Sequence, residues 1–141
     1  YESLSLKTFM AVKWAVENKD FDLLLKTDDD VIFLDGFNKV VRDASQYDYS
    51  GDIKDGGYDS DWHTGKVENK KLNTRKFFIP PISYCQGCVY FLSKQAALIL
   101  AKHELTNDYC IYEDAEVGNI LWKSKIYPSQ IDVEPGFEFY F

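Results

Sequence analysis

A run of apolar residues, Leu23-Leu24-Leu25, climbs through Lys26 and Thr27 into three consecutive carboxylates, Asp28, Asp29 and Asp30, and turns apolar again at Val31-Ile32-Phe33. Three adjacent anions repel one another, so the arrangement is costly unless a compensating charge meets them at the end of a buried strand. A divalent cation relieves that repulsion most directly, and Mg²⁺, Mn²⁺ and Ca²⁺ all take oxygen ligands of this kind. The stretch reads as a metal-binding strand end, against the plainer reading of a solvated acidic turn. An EF-hand loop starting at Asp28 is excluded, because its sixth position is Phe33 rather than Gly and its twelfth is Lys39 rather than Glu.

The chain is one domain's worth of material at 141 residues. It opens at Tyr1 without an initiator Met, so a segment of a longer protein is expected. The net charge of -7 argues against a partner held through a polyphosphate backbone, which needs Lys and Arg to displace counterions. Nucleic acid is not an expected partner. A single nucleotide diphosphate is still compatible if a metal bridges the two sets of anions. No apolar run reaches the length of a membrane span, and no signal-peptide pattern opens the chain.

Cys85, Cys88 and Cys110 are odd in number, which does not describe a disulfide scaffold. Cys85-Gln86-Gly87-Cys88 has CxxC spacing, yet no second CxxC or His cluster completes a zinc site and no helix starts behind it. Two packed thiols in a buried strand are expected.

Along the chain, Leu6, Phe9, Met10, Val12, Trp14 and Val16 recur at near-helical spacing, with Ser3 or Ser5 as the cap and Trp14 in the core. A short apolar strand over 21–27 follows, of the kind buried on both faces of an α/β sheet. The acidic triplet then lies just past its C-terminal end, where open α/β sheets place ligands. Asp35 is the expected N-cap of a helix through Ala44, and a strand over 47–52 ends at Gly51. Residues 53–74 are rich in Gly, Asp, Lys and Asn and read as one long loop carrying Trp62. His63 and His103 are expected at the surface or a helix end.

A strand over 76–79 breaks at Pro80-Pro81, and a second runs over 84–92 around Gly87, where a side chain would obstruct a close approach. Ser93 caps a helix over 94–103. Glu113 and Asp114 stand at the start of a further helix running to about Lys123, where the dipole favours anions. Capping alone accounts for them; the company of the triplet points instead to one acidic group for a metal and another for a base. The tail holds one more strand and the aromatic cluster Phe137, Phe139, Tyr140 and Phe141. The alternation of strand and helix makes the chain α/β, or a mixed-sheet variant.

Taken in order, Leu4-Ser5-Leu6-Lys7-Thr8, Trp14, Leu25-Lys26-Thr27-Asp28-Asp29-Asp30-Val31, Tyr84-Cys85-Gln86-Gly87 with Tyr90 and Leu92-Ser93, and Glu113-Asp114-Ala115-Glu116-Val117-Gly118 resemble the β-1,3-galactosyltransferase family. That family includes β-1,3-N-acetylglucosaminyltransferases, with Fringe enzymes and core 1 galactosyltransferases as more distant relatives. A DxD triplet alone occurs by chance; the ordered set covers nearly the whole chain.

The resemblance implies a GT-A glycosyltransferase fold, Rossmann-like with a mixed sheet, whose first nucleotide-binding strands would precede Tyr1. The 141 residues are then a single partial catalytic domain. It further implies an inverting, metal-dependent hexosyltransferase that moves galactose or N-acetylglucosamine from a UDP-sugar to a glycan or glycoprotein in β-1,3 linkage. Mn²⁺ or Mg²⁺ would be held by Asp30 and Asp28, with Asp28 and Asp29 on the donor and Asp114, or else Glu113, as catalytic base. Golgi residence as a type II membrane protein, anchored outside this segment, is implied by analogy only. The competing expectation is a carbohydrate- or nucleotide-binding relative without turnover. A different Mg²⁺-dependent phosphoryl transferase would need a Gly-rich phosphate loop, and none is visible.

Overall fold

The computed structural model describes residues 3–104 and 110–140, so Phe141 of the aromatic cluster lies outside the described residues. In chain order these form α1 (Leu4–Asn18), β1 (Leu23–Thr27), β2 (Val31–Phe33), α2 (Phe37–Ala44), β3 (Tyr49–Asp55), β4 (Tyr58–Ser60), β5 (Phe77–Ile79), β6 (Ser83–Ser93), α3 (Lys94–Lys102), α4 (Glu113–Lys123), β7 (Ser129–Gln130) and β8 (Phe137–Phe139). Short 3₁₀ turns occupy Leu72–Thr74 and Glu134–Gly136.

The central sheet has the order β1-β6-β3-β7. β6 is antiparallel to both β1 and β3, whereas β7 runs parallel to β3, so the sheet is mixed. Successive side chains of β6 point to opposite faces and divide the core in two. Tyr90 and Leu92 join Phe9, Val12, Leu100 and Leu121 under α1, α3 and α4. Val89 and Phe91 join Val40, Ala44, Ile131, Val133 and Phe137 under α2 and the tail. Each side chain of this size that is fully removed from water contributes about 1.5–3 kcal/mol. Both faces of β6 are therefore covered, which makes it the rigid axis of the sheet.

Several local expectations are corrected. Strand β1 lies at the sheet edge and all of its residues are half-buried, not enclosed on both faces, because among the described residues only β6 pairs with it. In α1 the buried face is Ser5, Thr8, Phe9, Val12 and Ala15. Leu6, Met10 and Trp14 face outward, Trp14 with 56% of its surface exposed and the Lys19 ammonium 5.4 Å from its ring. Ser3 makes no side-chain cap, and the Ser5 hydroxyl instead donates to the Cys110 carbonyl at 3.0 Å. Helix α2 starts behind Gly36, not Asp35. Its entry is set by a close crossing: a Cβ on Gly36 would lie 2.1 Å from the Pro135 carbonyl oxygen.

The stretch 53–74 is not one loop. Its first residues extend β3 past a bulge between Gly51 and Ile53, and Tyr58–Ser60 pairs with Phe77–Ile79 as a ribbon. His63, expected at the surface, is fully buried. Its Nδ1 lies 2.7 Å from the Tyr112 hydroxyl and its Nε2 2.7 Å from the Leu72 carbonyl. A carbonyl only accepts, so Nε2 carries the proton, and the imidazole pins this segment to the residue just before α4. Ser93 Oγ accepts from the Ala96 N–H at 3.2 Å at the start of α3 and α4 begins at Glu113, both as expected. The tail, in contrast, holds two strands and not one, because β3 offers a partner to β7 and β2 a partner to β8.

Candidate functional site

The acidic triplet and the acidic pair meet at one end of the sheet, and a lysine joins them. Lys26 and Asp28 are two apart in extended chain and so project to the same side. Lys26 Nζ lies 2.7 Å from Asp28 Oδ1 and 3.6 Å from Glu113 Oε2, and it also donates to the Gly87 carbonyl. The Asp28 N–H continues the β1–β6 ladder by donating to the Cys88 carbonyl at 3.1 Å. That bond carries the chain past β1 and delivers the triplet beside Gly87.

Helix α4 supplies the acidic pair from its first turn. Glu113 is 2% exposed; Tyr90 donates its hydroxyl to Oε1, and Lys26 faces Oε2. Asp114 is mostly covered but keeps some exposure. Its Oδ1 accepts from the Ala115 N–H at 2.8 Å and its Oδ2 from the Gly87 N–H at 3.0 Å. Gly87 permits this approach, since a Cβ there would lie 3.3 Å from both Asp114 Oδ2 and Glu113 Oε2.

Burial pushes the Glu113 carboxyl up to about 7, although the Lys26 ammonium and the Tyr90 hydroxyl pull it down. Asp114 is raised too, again by burial, against the pull of the Ala115 and Gly87 amides and of Lys26. Burial works against the Lys26 charge, but Glu113, Asp28 and Asp114 outweigh it and its pKa rises above the usual value. Tyr90 is pushed well above the ordinary phenol range by burial and the Glu113 charge, so it remains a donor. The result is a pair of carboxylates unequal in access, both raised in proton affinity by burial.

Asp29 and Asp30 are exposed beyond this network, with no ion pair to either among the described residues. No three His, Cys, Asp or Glu side chains converge as a metal cage among the described residues. The triplet nevertheless fits Mg²⁺ or Mn²⁺ by its donor chemistry: such ions are held through one or two carboxylates together with substrate phosphates rather than by an all-protein cage. A groove of about 630 Å³ between α1 and β1 opens onto the triplet, lined in part by Lys7, Thr8, Lys26, Asp28 and Asp29.

A family model described as Galactosyltransferase matches residues 1–132. The chain belongs to the galactosyltransferase family. The match runs through every element from α1 to β7. A comparison with curated proteins finds no match. Family membership indicates glycosyl transfer, with a sugar donor and a glycan acceptor in general terms.

Within this galactosyltransferase-family chain, Lys26 and Tyr90 stand among the motif residues that carry the resemblance, yet the sequence assigns neither a role in the site. Lys26 was legible in principle, as a cation two positions before Asp28 on a strand. The contact of Tyr90 with Glu113 was not, because only the packing of α4 on β6 brings the hydroxyl to that carboxylate. Cys85, Cys88 and Cys110 are free thiols; Cys85 is buried in β6 and Cys88 half-buried, as expected of packed residues. No helix among the described residues is long and apolar enough to cross a membrane.

Proposed function

We propose that the chain carries the catalytic residues of an inverting, metal-dependent hexosyltransferase of GT-A type, moving galactose or N-acetylglucosamine from a UDP-sugar to a glycan or glycoprotein hydroxyl in β-1,3 linkage. The observation that carries the reading is the junction at Gly87: a partly exposed Asp114 held by two backbone amides, tied through the Gly87 backbone and Lys26 to the triplet that would face the donor. The mixed α/β sheet is compatible with a GT-A arrangement.

In this mechanism Asp114 is the base. Its oxygens each spend one acceptor site on a backbone N–H and keep another for the acceptor hydroxyl. Its raised proton affinity suits it to take that proton as the oxygen attacks the anomeric carbon, a role worth about 10² to 10⁴ in rate. The new carbon–oxygen bond forms on the face opposite UDP, the bond to the β-phosphate oxygen breaks, and its electron pair leaves with UDP. One displacement gives inversion. Asp30 and Asp28 would hold Mn²⁺ or Mg²⁺, which supplies Lewis-acid charge to the departing diphosphate. Asp29 adds a second anion beside the donor. Glu113, sealed from solvent and held by Tyr90 and Lys26, is placed to support the neighbouring Asp114 and not to reach an acceptor. Golgi residence, with an anchor outside this segment, is part of the proposal.

The decisive experiment compares wild type and Asp114→Asn for UDP release from UDP-galactose and UDP-N-acetylglucosamine in the presence of glycan acceptors. Transfer falls by about 10² or more while donor binding is retained. Full turnover by the variant would remove Asp114 from the base role. UDP binding by wild type with no transfer to any acceptor would favour a non-catalytic binding protein.

A further inference from the structure

Gly87 sits in a gap of the sheet. The pairings of β6 with β1 involve residues 89–93, and those with β3 involve 83–85 and 90–92, so neither ladder includes Gly87. Glycine is also the residue whose backbone turns most freely. Yet its N–H must point at Asp114 Oδ2 for the acidic pair to keep its place. On the other side of the same residue, the Gly87 carbonyl accepts from the Lys26 ammonium.

An ammonium has three N–H donors and no acceptor. Those of Lys26 face three oxygens from three separate elements: Asp28 in the turn after β1, Gly87 in β6 and Glu113 in α4. The Lys26 side chain is 14% exposed and Glu113 2%, so little water competes for either charge. Exposed lysine pairs are loose and contribute little. This one is enclosed, and removing one member of such a pair leaves the other buried and uncompensated.

We propose that Lys26 is a positioning residue for glycosyl transfer: a fixed cation that seats Glu113 directly and Asp114 through the Gly87 backbone, and so holds the acidic pair at a set distance from the acidic triplet. The inference rests on Asp114 acting as the base. Lys26 touches no reacting atom in this arrangement. Its effect is on where the base stands, and misplacing a reacting group by about 1 Å costs on the order of 10²-fold in rate.

The test uses the whole chain with Lys26→Met, Lys26→Arg, Asp114→Asn and the Lys26→Met/Asp114→Asn pair, measuring UDP release from UDP-galactose and UDP-N-acetylglucosamine. Lys26→Met lowers kcat about 100-fold, a loss well beyond any change in donor KM that freeing Asp28 brings, the pattern of a displaced base. Lys26→Arg recovers part of the loss, because charge and donors remain. The double variant is no slower than Asp114→Asn alone, since Lys26 acts through that carboxylate. Losses that multiply, or a Lys26→Met enzyme with wild-type kcat beside an inactive Asp114→Asn, would overturn the proposal and leave the base assignment standing. An active Asp114→Asn would instead sink the base assignment itself. Thermal unfolding of Lys26→Met, Glu113→Gln and their combination checks the contact without reference to activity. The double variant melts above Lys26→Met; strictly additive losses would overturn the coupling.

Discussion

The Gly87 N–H donates to Asp114 Oδ2 at 3.0 Å, across the gap between a sheet strand and the first turn of a helix. The space beside Gly87 is tight for a side chain. In Gly87→Ala the new Cβ would stand 3.3 Å from Asp114 Oδ2 and from Glu113 Oε2, so both carboxylates must move by a few tenths of an ångström. The variant folds, because no left-handed backbone is required there. Its transfer rate falls by about tenfold or more, with donor affinity preserved, as expected for a misplaced base. Steady-state kinetics read both values, and an unchanged kcat would show that the carboxylate positions are not limiting.

Asp30 stands at the exposed end of the triplet, away from the Lys26 network. Asp30→Ala therefore leaves stability within about 0.5 kcal/mol of wild type. Calorimetry with UDP shows Mn²⁺-promoted binding in wild type and none of that promotion in the variant. Chelation of the metal reproduces the loss. Equal UDP affinity with and without metal would remove the metal role.

The Glu113 carboxyl, pushed from 4.5 up to about 7 by burial, sets a pH dependence of stability. Between those values the native state holds a proton that the unfolded chain has released, so the Glu113 contribution to stability is fully present below 4.5 and is lost as pH rises through about 7. Asp114, also raised by burial, acts in the same direction. Urea unfolding at pH 5 and pH 8 shows the wild-type midpoint dropping, and Glu113→Gln flattens the difference. Identical wild-type midpoints would mean that Glu113 ionises as freely as in water.

Gly118 lies against β6, where an added Cβ would come within 2.3 Å of Tyr84 Cβ. Alanine in place of glycine inside a helix gains about 1 kcal/mol in propensity. Overpacking at such a contact costs about 1–3 kcal/mol, and at 2.3 Å from a backbone-fixed atom the upper half of that range applies. Gly118→Ala thus lowers the melting temperature despite its better helix propensity. A rise in melting temperature would show that α4 can shift off the strand at little cost.

Where a residue pattern has a local physical cause, it was legible. The cap at Ser93, the apolar periodicity of α3 and the helix start at Glu113 are set by neighbours within a few residues, and each forms as expected. The triplet was legible because adjacent carboxylates after an apolar strand are costly in any fold. The failures share a different cause. Trp14 belonged to the periodic set of α1, but which stripe of a helix is buried depends on what packs against it. His63 sat in a polar stretch, and its burial comes from Tyr112 and Phe77, far along the chain. The supposed loop over 53–74 contains β4 because β5 offers it a partner, which no local pattern encodes.

The sequence by itself determined the chemical inventory and its order: an acidic triplet behind an apolar strand, a glycine in a long strand, and an acidic pair opening a helix. These are matters of residue type and spacing, and they suffice to place the chain in its family. Only the tertiary structure decided that Lys26 stands between the two acidic groups, that Glu113 is sealed while Asp114 is reachable, and that Tyr90 completes the network. Those relations depend on how α4 lies across β6, and contacts between residues so far apart in the chain arise from packing.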